Sequence, residues 1–319
     1  MSRKERSPDQ PSTPPVVPSG GLGVSLPDVS PPSTPGPLDH LGNRVWAVLG
    51  GGGLKGLAHV GAWKAIQEAG LPITGIVGTS IGALVGALIA GGMGWDELVP
   101  LAFALRKRDI VRINRRAVLI NGIRQEALFQ GNPLREYIER VLPVKRWEDL
   151  KIPLQINAVN LETGLTEWFG AGAHMDVPLA EAIYASAALP VFYPPARIGA
   201  RVYVDGGAEH PFPLHRAAEL GATGIVGVDV GSGKQTHPHR VLAQGMLAIH
   251  MRVFSMMSWR KRSDMVRHWT NPPLLFVRPR LEGFQTFDFD AVQYFLEEGY
   301  RSTRAALMVG TGPSSHPDA

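Results

Sequence analysis

Three short stretches of this chain hold residue types that perform acyl transfer when they meet. Gly78-Thr79-Ser80-Ile81-Gly82 is a G-x-S-x-G segment. Between a strand and a helix, glycines two before and two after the serine allow a turn too sharp for residues with a Cβ. Such a turn exposes the Ser80 hydroxyl at a helix N-terminus, whose positive end favours an alkoxide or oxyanion. Upstream, AVLGGGGLKGLAHVGAW (47–63) starts as a strand and passes through a glycine loop into a helix. The loop offers the bare N–H groups of Gly51, Gly52 and Gly53 to something negative. Downstream, Asp205 ends the stretch RVYVD and is followed by Gly206 and Gly207. That pair lets the backbone turn away and leaves a carboxylate at a strand end, although Asp-Gly-Gly taken alone is equally an ordinary turn.

The negative partner of the glycine loop is a phosphate or an oxyanion. Gly51-x-Gly53-x-x-Gly56 matches the dinucleotide fingerprint, but the next strand, ITGIVG, ends in Thr79 and Ser80 with no acid to grip a ribose. A phosphate-binding P-loop fits less well, because Lys55 precedes its glycine and no Ser or Thr follows. If the two strands are parallel neighbours, the glycine loop and Ser80 open on the same sheet edge. The amides can then face the oxygen that turns negative when Ser80 attacks a carbonyl. One such donor is typically worth ~3–4 kcal/mol in the transition state.

A serine nucleophile needs a base. His174, His210, His215, His237, His239, His250 and His268 all follow Ser80, and none has a setting that singles it out. Asp205 is the better base. His59, one turn into the first helix, has a packing or hydrogen-bonding role. No His-Glu-x-x-His or comparable spacing exists for a metal, there is no cysteine, and no cofactor is expected.

The elements that must position these groups are legible from periodicity and turn residues. Val45–Leu49 and Ile73–Val77 read as buried strands, Leu57–Ala69 and Ile81–Ala90 as helices. A right-handed crossover makes strand–helix–strand–helix a parallel sheet. Trp95–Arg106 and Pro133–Leu142 are predicted helices, the second capped by Asn132. Leu154–Asn160 and Leu165–Phe169 form a predicted hairpin, and Pro178–Ala188 a helix capped by Asp176. Arg201–Val204, Leu214–Leu220 and Ile225–Val230 continue as strand, helix and strand, and Asp290–Leu307 closes the fold as a helix.

Arg240–Arg262 reads as one helix. Arg240, Gln244, Ser255, Ser258 and Arg262 share a narrow polar stripe, while Met246, Leu247, Ile249, Val253, Phe254, Met257 and Trp259 fill most of the rest. So broad an apolar face belongs in a core or against lipid, and core packing is the preferred reading.

With 319 residues, 44% of them apolar and 19% charged, the chain has the composition of a globular protein with a sizeable core. Its net charge of +4 is unevenly spread. Arg106, Lys107, Arg108, Arg112, Arg115, Arg116 and Arg124 face the single acid Asp109, and Arg252–Arg267 carries five basic residues against Asp264. Such clusters attract an anionic membrane surface or are solvated helix faces. Nucleic acid is not expected, since no recognition motif or aromatic stacking pattern accompanies them. Ala69–Trp95 has no charge but contains Pro72 and eight glycines, so it reads as a buried strand–turn–helix and not a membrane span.

The ordered series GGGLKG, GTSIG, ASAALP and DGG resembles the patatin-like phospholipases, in particular bacterial members and the esterase domain of neuropathy target esterase. It covers roughly 44–230. The resemblance implies a three-layer α/β fold with a mainly parallel central sheet and helices on both faces. It implies a dyad of Ser80 as nucleophile and Asp205 as general base, with Gly51–Gly53 as oxyanion hole. Lys55, Gly56, Gly78, Gly82, Gly206 and Gly207 support those motifs, and the Ala185–Pro190 block packs near the site. One departure is Pro211, which stands where the family often has an Asn after its DGG, so the hold on the aspartate loop is in question. The expected organisation is a disordered Pro- and Ser-rich segment over 1–40, one domain over 41–310 and a flexible tail over 311–319. The expected substrate is a lipid ester, with the protein in the cytoplasm and in peripheral contact with anionic membrane. An acyltransferase using the same serine and a non-catalytic lipid- or nucleotide-binding module are the alternatives. Oligomeric state is left open.

Overall fold

All five side chains of β1 (Val45–Leu49) are buried, which requires a strand covered on both faces. The computed structural model, which describes residues 37–113, 124–231 and 238–309, places it centrally, parallel to β2 (Ile73–Gly78) on one side and β7 (Gly224–Val228) on the other. Its side chains alternate between faces. Trp46 and Val48 join Phe212, Leu214 and Ala217 in one core cluster, under α7 (Leu214–Glu219). Ala47 and Leu49 border a small cavity with His59, Ala62 and Ile66 of α1 (Ala58–Glu68) and Ile89 of α2 (Ile81–Ala90). Helices therefore cover both faces of the sheet.

The full strand order is β5-β6-β3-β2-β1-β7-β8, with β4 paired to β3. β3 (Leu154–Asn160), β2, β1, β7 and β8 (Leu274–Val277) run parallel. β4 (Thr166–Gly170) and β6 (Arg201–Asp205) run antiparallel to β3, and β5 (Ala196–Ile198) is antiparallel to β6. β3 sets the geometry of the site. β2 pairs along its first residues, with Gly78 in register with Ile156, and β6 along its last, with Asp205 in register with Ala158. A parallel and an antiparallel strand thus end two residues apart on a common neighbour.

The remaining helices are α3 (Trp95–Ala104), α4 (Lys107–Ile110), α5 (Asn132–Val141), α6 (Leu179–Ala187), α8 (Pro238–Ala243), α9 (Met246–Arg267) and α10 (Val292–Val309). Most sequence expectations hold to within a residue or two. Several do not. The helix expected over Trp95–Arg106 stops at Ala104, because Leu105 is extended. Asn132 is the first residue of α5, not its cap, and Pro178, not Asp176, precedes α6; neither helix start has a side-chain cap. The single helix expected over Arg240–Arg262 is two, broken at Gly245, whose φ of 81° no helix accommodates, and the second runs on to Arg267. Its apolar face is not in the core: Met246, Ile249, Val253, Met256 and Met257 are exposed, whereas Ser258 and Arg262 are buried. β5 and β8 carry no clear sequence signal. Residues Pro37–Leu41, most of them on the N-terminal side of the expected boundary at 41, form a short 3-10 turn with Leu41 fully buried. The rest of the segment expected to be disordered, the tail over 311–319, and Arg115 and Arg116 lie outside the described residues.

Gly82 is where α2 meets β1. A Cβ there would lie 2.1 Å from the Leu49 carbonyl oxygen, which has no room to yield. We expect Gly82→Ala to lower stability to urea by about 2–3 kcal/mol. Gly94→Ala, where a Cβ meets nothing within 4 Å, should stay within ~0.5 kcal/mol of the parent.

Candidate active site

Ser80 stands between β2 and α2 with φ 56° and ψ −122°. A non-glycine residue keeps so unfavourable a conformation only where its surroundings over-determine it. The Thr79 N–H donates to the Leu49 carbonyl at 3.0 Å, the Ser80 N–H donates to Ser186 Oγ at 2.9 Å, and the Ser80 carbonyl accepts from Ala83 at 2.9 Å. Gly56, Gly78 and Gly82 pack around this elbow where a Cβ would collide with Ile81, the Gly82 carbonyl and the Leu49 carbonyl respectively. The turn aims the hydroxyl across the sheet edge, and Ser80 Oγ donates to Asp205 Oδ2 at 2.7 Å.

Asp205 is held as firmly. Its Oδ1 accepts the Gly207 N–H at 2.7 Å, and its own N–H donates to the Ala188 carbonyl at 3.0 Å. Ser186 and Ala188 belong to the ASAALP block, which therefore supports both halves of the pair. The loop around Pro211 is held without a side-chain donor at that position. Asn157 of β3 donates from Nδ2 to the carbonyls of Gly206 (3.2 Å) and His210 (3.1 Å), Thr79 Oγ1 also donates to the His210 carbonyl, and the Pro211 carbonyl accepts the Gly51 N–H at 3.1 Å. The aspartate loop is thus tied to β3, to the elbow and to the glycine loop.

That last bond alters the expected oxyanion hole. With the Gly51 amide committed to Pro211, the amides of Gly52 and Gly53 remain without an acceptor among the described residues. The glycine loop is fixed from behind by Arg262 of α9. Its Nη2 donates to the Gly51 carbonyl at 2.6 Å, and its Nε lies 3.3 Å from Asp229 Oδ1 just past β7. Asp229 also receives Arg278 Nη2 at 3.1 Å, so a buried carboxylate is shared by two guanidinium groups. Leu54 N–H donates to the Thr286 carbonyl at 2.8 Å, closing the loop's other side.

Burial pushes the Asp205 carboxyl up to about 6, against the opposing pull of the Ser80 hydroxyl, the Gly207 N–H and the charge of Arg262. Burial lowers Lys55 to about 8, and its buried side chain lines the cavity onto which Ser80 and Asp205 open. His59 is fully buried, pushed down to about 4, and bonds the Gly50 carbonyl through Nε2 at 2.8 Å. It is thus a neutral strut under the glycine loop. His210 stacks on Trp168, His215 meets that ring edge-on and packs against His210, and His174 pairs with Asp176. Asp205 is the only described side chain hydrogen-bonded to Ser80 Oγ.

Ser80, Asp205 and the three glycines open into a cavity of about 200 Å³ lined by Leu84, Leu134, Ile138, Ile183, Phe254 and Phe287 among others. A nucleophile, a base, two amides and an apolar slot suit an ester with a hydrocarbon acyl chain. Sequence reasoning misses Asn157, Asp229 and Arg262 as parts of the site. Asn157 has a signal, since LQINAVN places Gln155 and Asn157 on one face of a strand that is buried throughout.

An α/β sheet with a serine elbow facing a strand-end aspartate defines a class, and sequence comparison narrows it. Residues 47–218 match the family model described as patatin-like phospholipase. The chain belongs to that family. An uncharacterized NTE family protein of Mycobacterium tuberculosis is 32% identical over 197 residues, 62% of this chain and 51% of the relative. Human patatin-like phospholipase domain-containing protein 6 is 27% identical, over 83% of this chain and 20% of its own length. Lysophospholipase NTE1 of Kluyveromyces lactis is 28% identical over 81% of this chain and 19% of its own. The chain therefore spans about half the length of the mycobacterial relative and about a fifth of the others. Among solved structures, VipD from Legionella pneumophila aligns with a TM-score of 0.42 at 15% identity, covering 83% of this chain and 66% of that one.

Hydrolysis of a short soluble ester should rise with pH through about 6, as Asp205 loses its proton. Because the folded-state value lies above the unfolded one, protonated Asp205 favours folding, and that contribution is lost as pH climbs from about 4 through 6. Asp205→Asn should abolish activity while melting no lower than the parent at neutral pH. A lower melting temperature would show that the ionised carboxylate is a net stabiliser.

Proposed function

We propose that this chain hydrolyses carboxylic esters of lipids, phospholipid or lysophospholipid, through a Ser80–Asp205 dyad. The observation that carries the reading is the 2.7 Å hydrogen bond from Ser80 Oγ to a buried Asp205, made by a serine held at positive φ. Ser80 Oγ attacks the acyl carbon as its proton passes to Asp205 Oδ2, and the carbonyl oxygen becomes an oxyanion facing the Gly52 and Gly53 amides. Collapse breaks the ester C–O bond, and the leaving alkoxide takes the proton from Asp205. Water then attacks the acyl-Ser80 ester, gives a proton to Asp205, and the acid departs as the proton returns to Ser80. Asp205 thus serves as base and then acid in each half, for which a value near 6 is well suited.

Family membership and relatives named as lysophospholipases support a lipid substrate, as does the apolar lining of the cavity. The oxyanion role of Gly52 and Gly53 rests on their unoccupied amides. A second alcohol in place of water would make the same site an acyltransferase. A non-catalytic module would have no use for a nucleophile and base held in contact.

Ser80→Ala should reduce hydrolysis of a p-nitrophenyl ester by about 10⁴-fold or more without loss of folding, and should end labelling by a fluorophosphonate probe. Activity should persist in EDTA. Activity retained in Ser80→Ala would remove the nucleophile assignment, and an EDTA-sensitive parent would remove the metal-independent dyad.

A further inference from the structure

The helix α9 is built inside out. Met251, Phe254, Ser255, Ser258 and Arg262, spaced by three and four, form one stripe along the cavity that contains Ser80. Met246, Ile249, Val253, Met256 and Met257 form the opposite stripe and face outward. Met246 is 76% exposed, Val253 49% and Met257 57%. A surface helix of a globular protein turns its apolar face to the core; here the buried stripe carries two serines and an arginine. Of the fourteen large apolar side chains exposed among the described residues, seven lie between Leu242 and Met257. Six of these lie on α9 and one, Leu242, on α8, a concentration of exposed apolar side chains of the kind that marks an interaction surface.

The charge on this helix is mainly positive. Arg252, Arg260, Lys261, Arg262 and Arg267 stand against the single acid Asp264, and of these Arg262 is turned inward to Asp229. Ile110 also lines the cavity, and its sequence neighbours Arg106, Lys107, Arg108 and Arg112 are exposed. Apolar side chains set among an excess of cations complement an anionic lipid surface. A second copy of the helix is a poorer match. The outward positions follow a 3-4 spacing for only about two heptads before Arg260 takes the next one, short of the roughly three to four that a helical seam needs.

We propose that the outward face of α8–α9 is a membrane-docking surface for anionic bilayers, placing the mouth of the Ser80 cavity against the lipid whose ester is cleaved. The ester-hydrolase reading underlies the second half of that statement; the docking itself does not depend on it. The inner stripe guides an acyl chain toward Ser80 while the outer stripe lies among the acyl chains of the leaflet. α9 is anchored to the site at its other end, where Lys261 Nζ donates to the Ala208 and Glu209 carbonyls and Arg262 to the Gly51 carbonyl. The outer stripe can therefore seat in lipid without dislodging Ser80 or Asp205.

The test is co-sedimentation of the full chain with phosphatidylcholine vesicles, with and without phosphatidylglycerol, beside hydrolysis of a soluble p-nitrophenyl ester. Wild type should pellet with the anionic vesicles, and added salt should weaken the binding. The double variant Met246→Asp/Val253→Asp should bind at least about tenfold more weakly, with soluble-ester activity within about twofold of wild type. Leu165→Asp, which alters an exposed apolar residue at a distant hairpin, should bind as wild type does. Ser80→Ala should also bind as wild type, so loss of the hydrolase reading and loss of the docking reading give different results. Wild type that fails to pellet, or a Met246→Asp/Val253→Asp variant that pellets equally, overturns the proposal. So does a wild-type dimer by light scattering that those substitutions convert to monomer, since the face would then be a self-interface.

Discussion

The hydrogen bond between Ser80 and Asp205 is the constraint on which the rest of the structure turns. It requires a carboxylate out of water and a serine in a backbone conformation that serine avoids, both unfavourable in isolation. The carboxylate is made tolerable by three partners: the serine hydroxyl, the Gly207 amide and the nearby charge of Arg262. They do not cancel the cost of burial, which is why the group sits near 6 and not at an ordinary carboxylate value. That residue of uncompensated cost gives Asp205 its basicity. A better-solvated aspartate would be more stable and a weaker base. The sheet makes the contact possible at all, because β3 is long enough to carry β2 on its first residues and β6 on its last. A shorter β3 would leave the two strand ends without a shared neighbour.

The supports of this pair are themselves mostly buried polar groups, although Asn157 Oδ1 and Arg262 Nε have no hydrogen-bond partner among the described residues. Ser186 receives the Ser80 amide, Asn157 spans two carbonyls of the aspartate loop, and Arg262 joins the Gly51 carbonyl to Asp229. A buried polar network of this sort gains rigidity when its members are satisfied and loses much when one is removed. It also holds the loop around Pro211, a residue with no side-chain donor of its own. The loop's carbonyls are held from β3 and from Thr79, so the side chain at 211 is not needed for that purpose.

The parts of the site built from local sequence are legible in it. Glycine spacing announces an elbow wherever a strand precedes it, and DGG after a short apolar run marks a strand end. Those two signals suffice to place β2, α2 and Asp205. Contacts between distant segments are not legible. Gly51 groups naturally with Gly52 and Gly53, because a run of glycines carries no sign of which amide turns inward, and only the meeting with Pro211 separates them. Asn157 lies in a strand that reads as one half of a hairpin. The hairpin is real, but pairing with β2 and β6 as well buries the polar face that a free hairpin would give to water. Arg262 reads as the end of a polar stripe suited to solvent, when that stripe is the one turned inward.

The orientation of α9 follows from the same electrostatics. Its periodicity alone favours turning methionines inward and serines outward, and hydrophobic burial would reward that choice. The opposite arrangement persists because Asp229 sits buried beyond β7 and needs cations, which Arg262 and Arg278 supply. Once Arg262 is drawn inward, Ser258 and Ser255, one and two turns before it, are carried in along the same stripe, and Val253, Met256 and Met257 are carried out. The buried contacts of Arg262 thus fix which face of a 22-residue helix lines the Ser80 cavity and which faces outward. Binary patterning fails here for an identifiable reason: with Arg262 turned outward, the buried Asp229 would keep Arg278 as its one ion-pair partner and the Gly51 carbonyl would lose its donor.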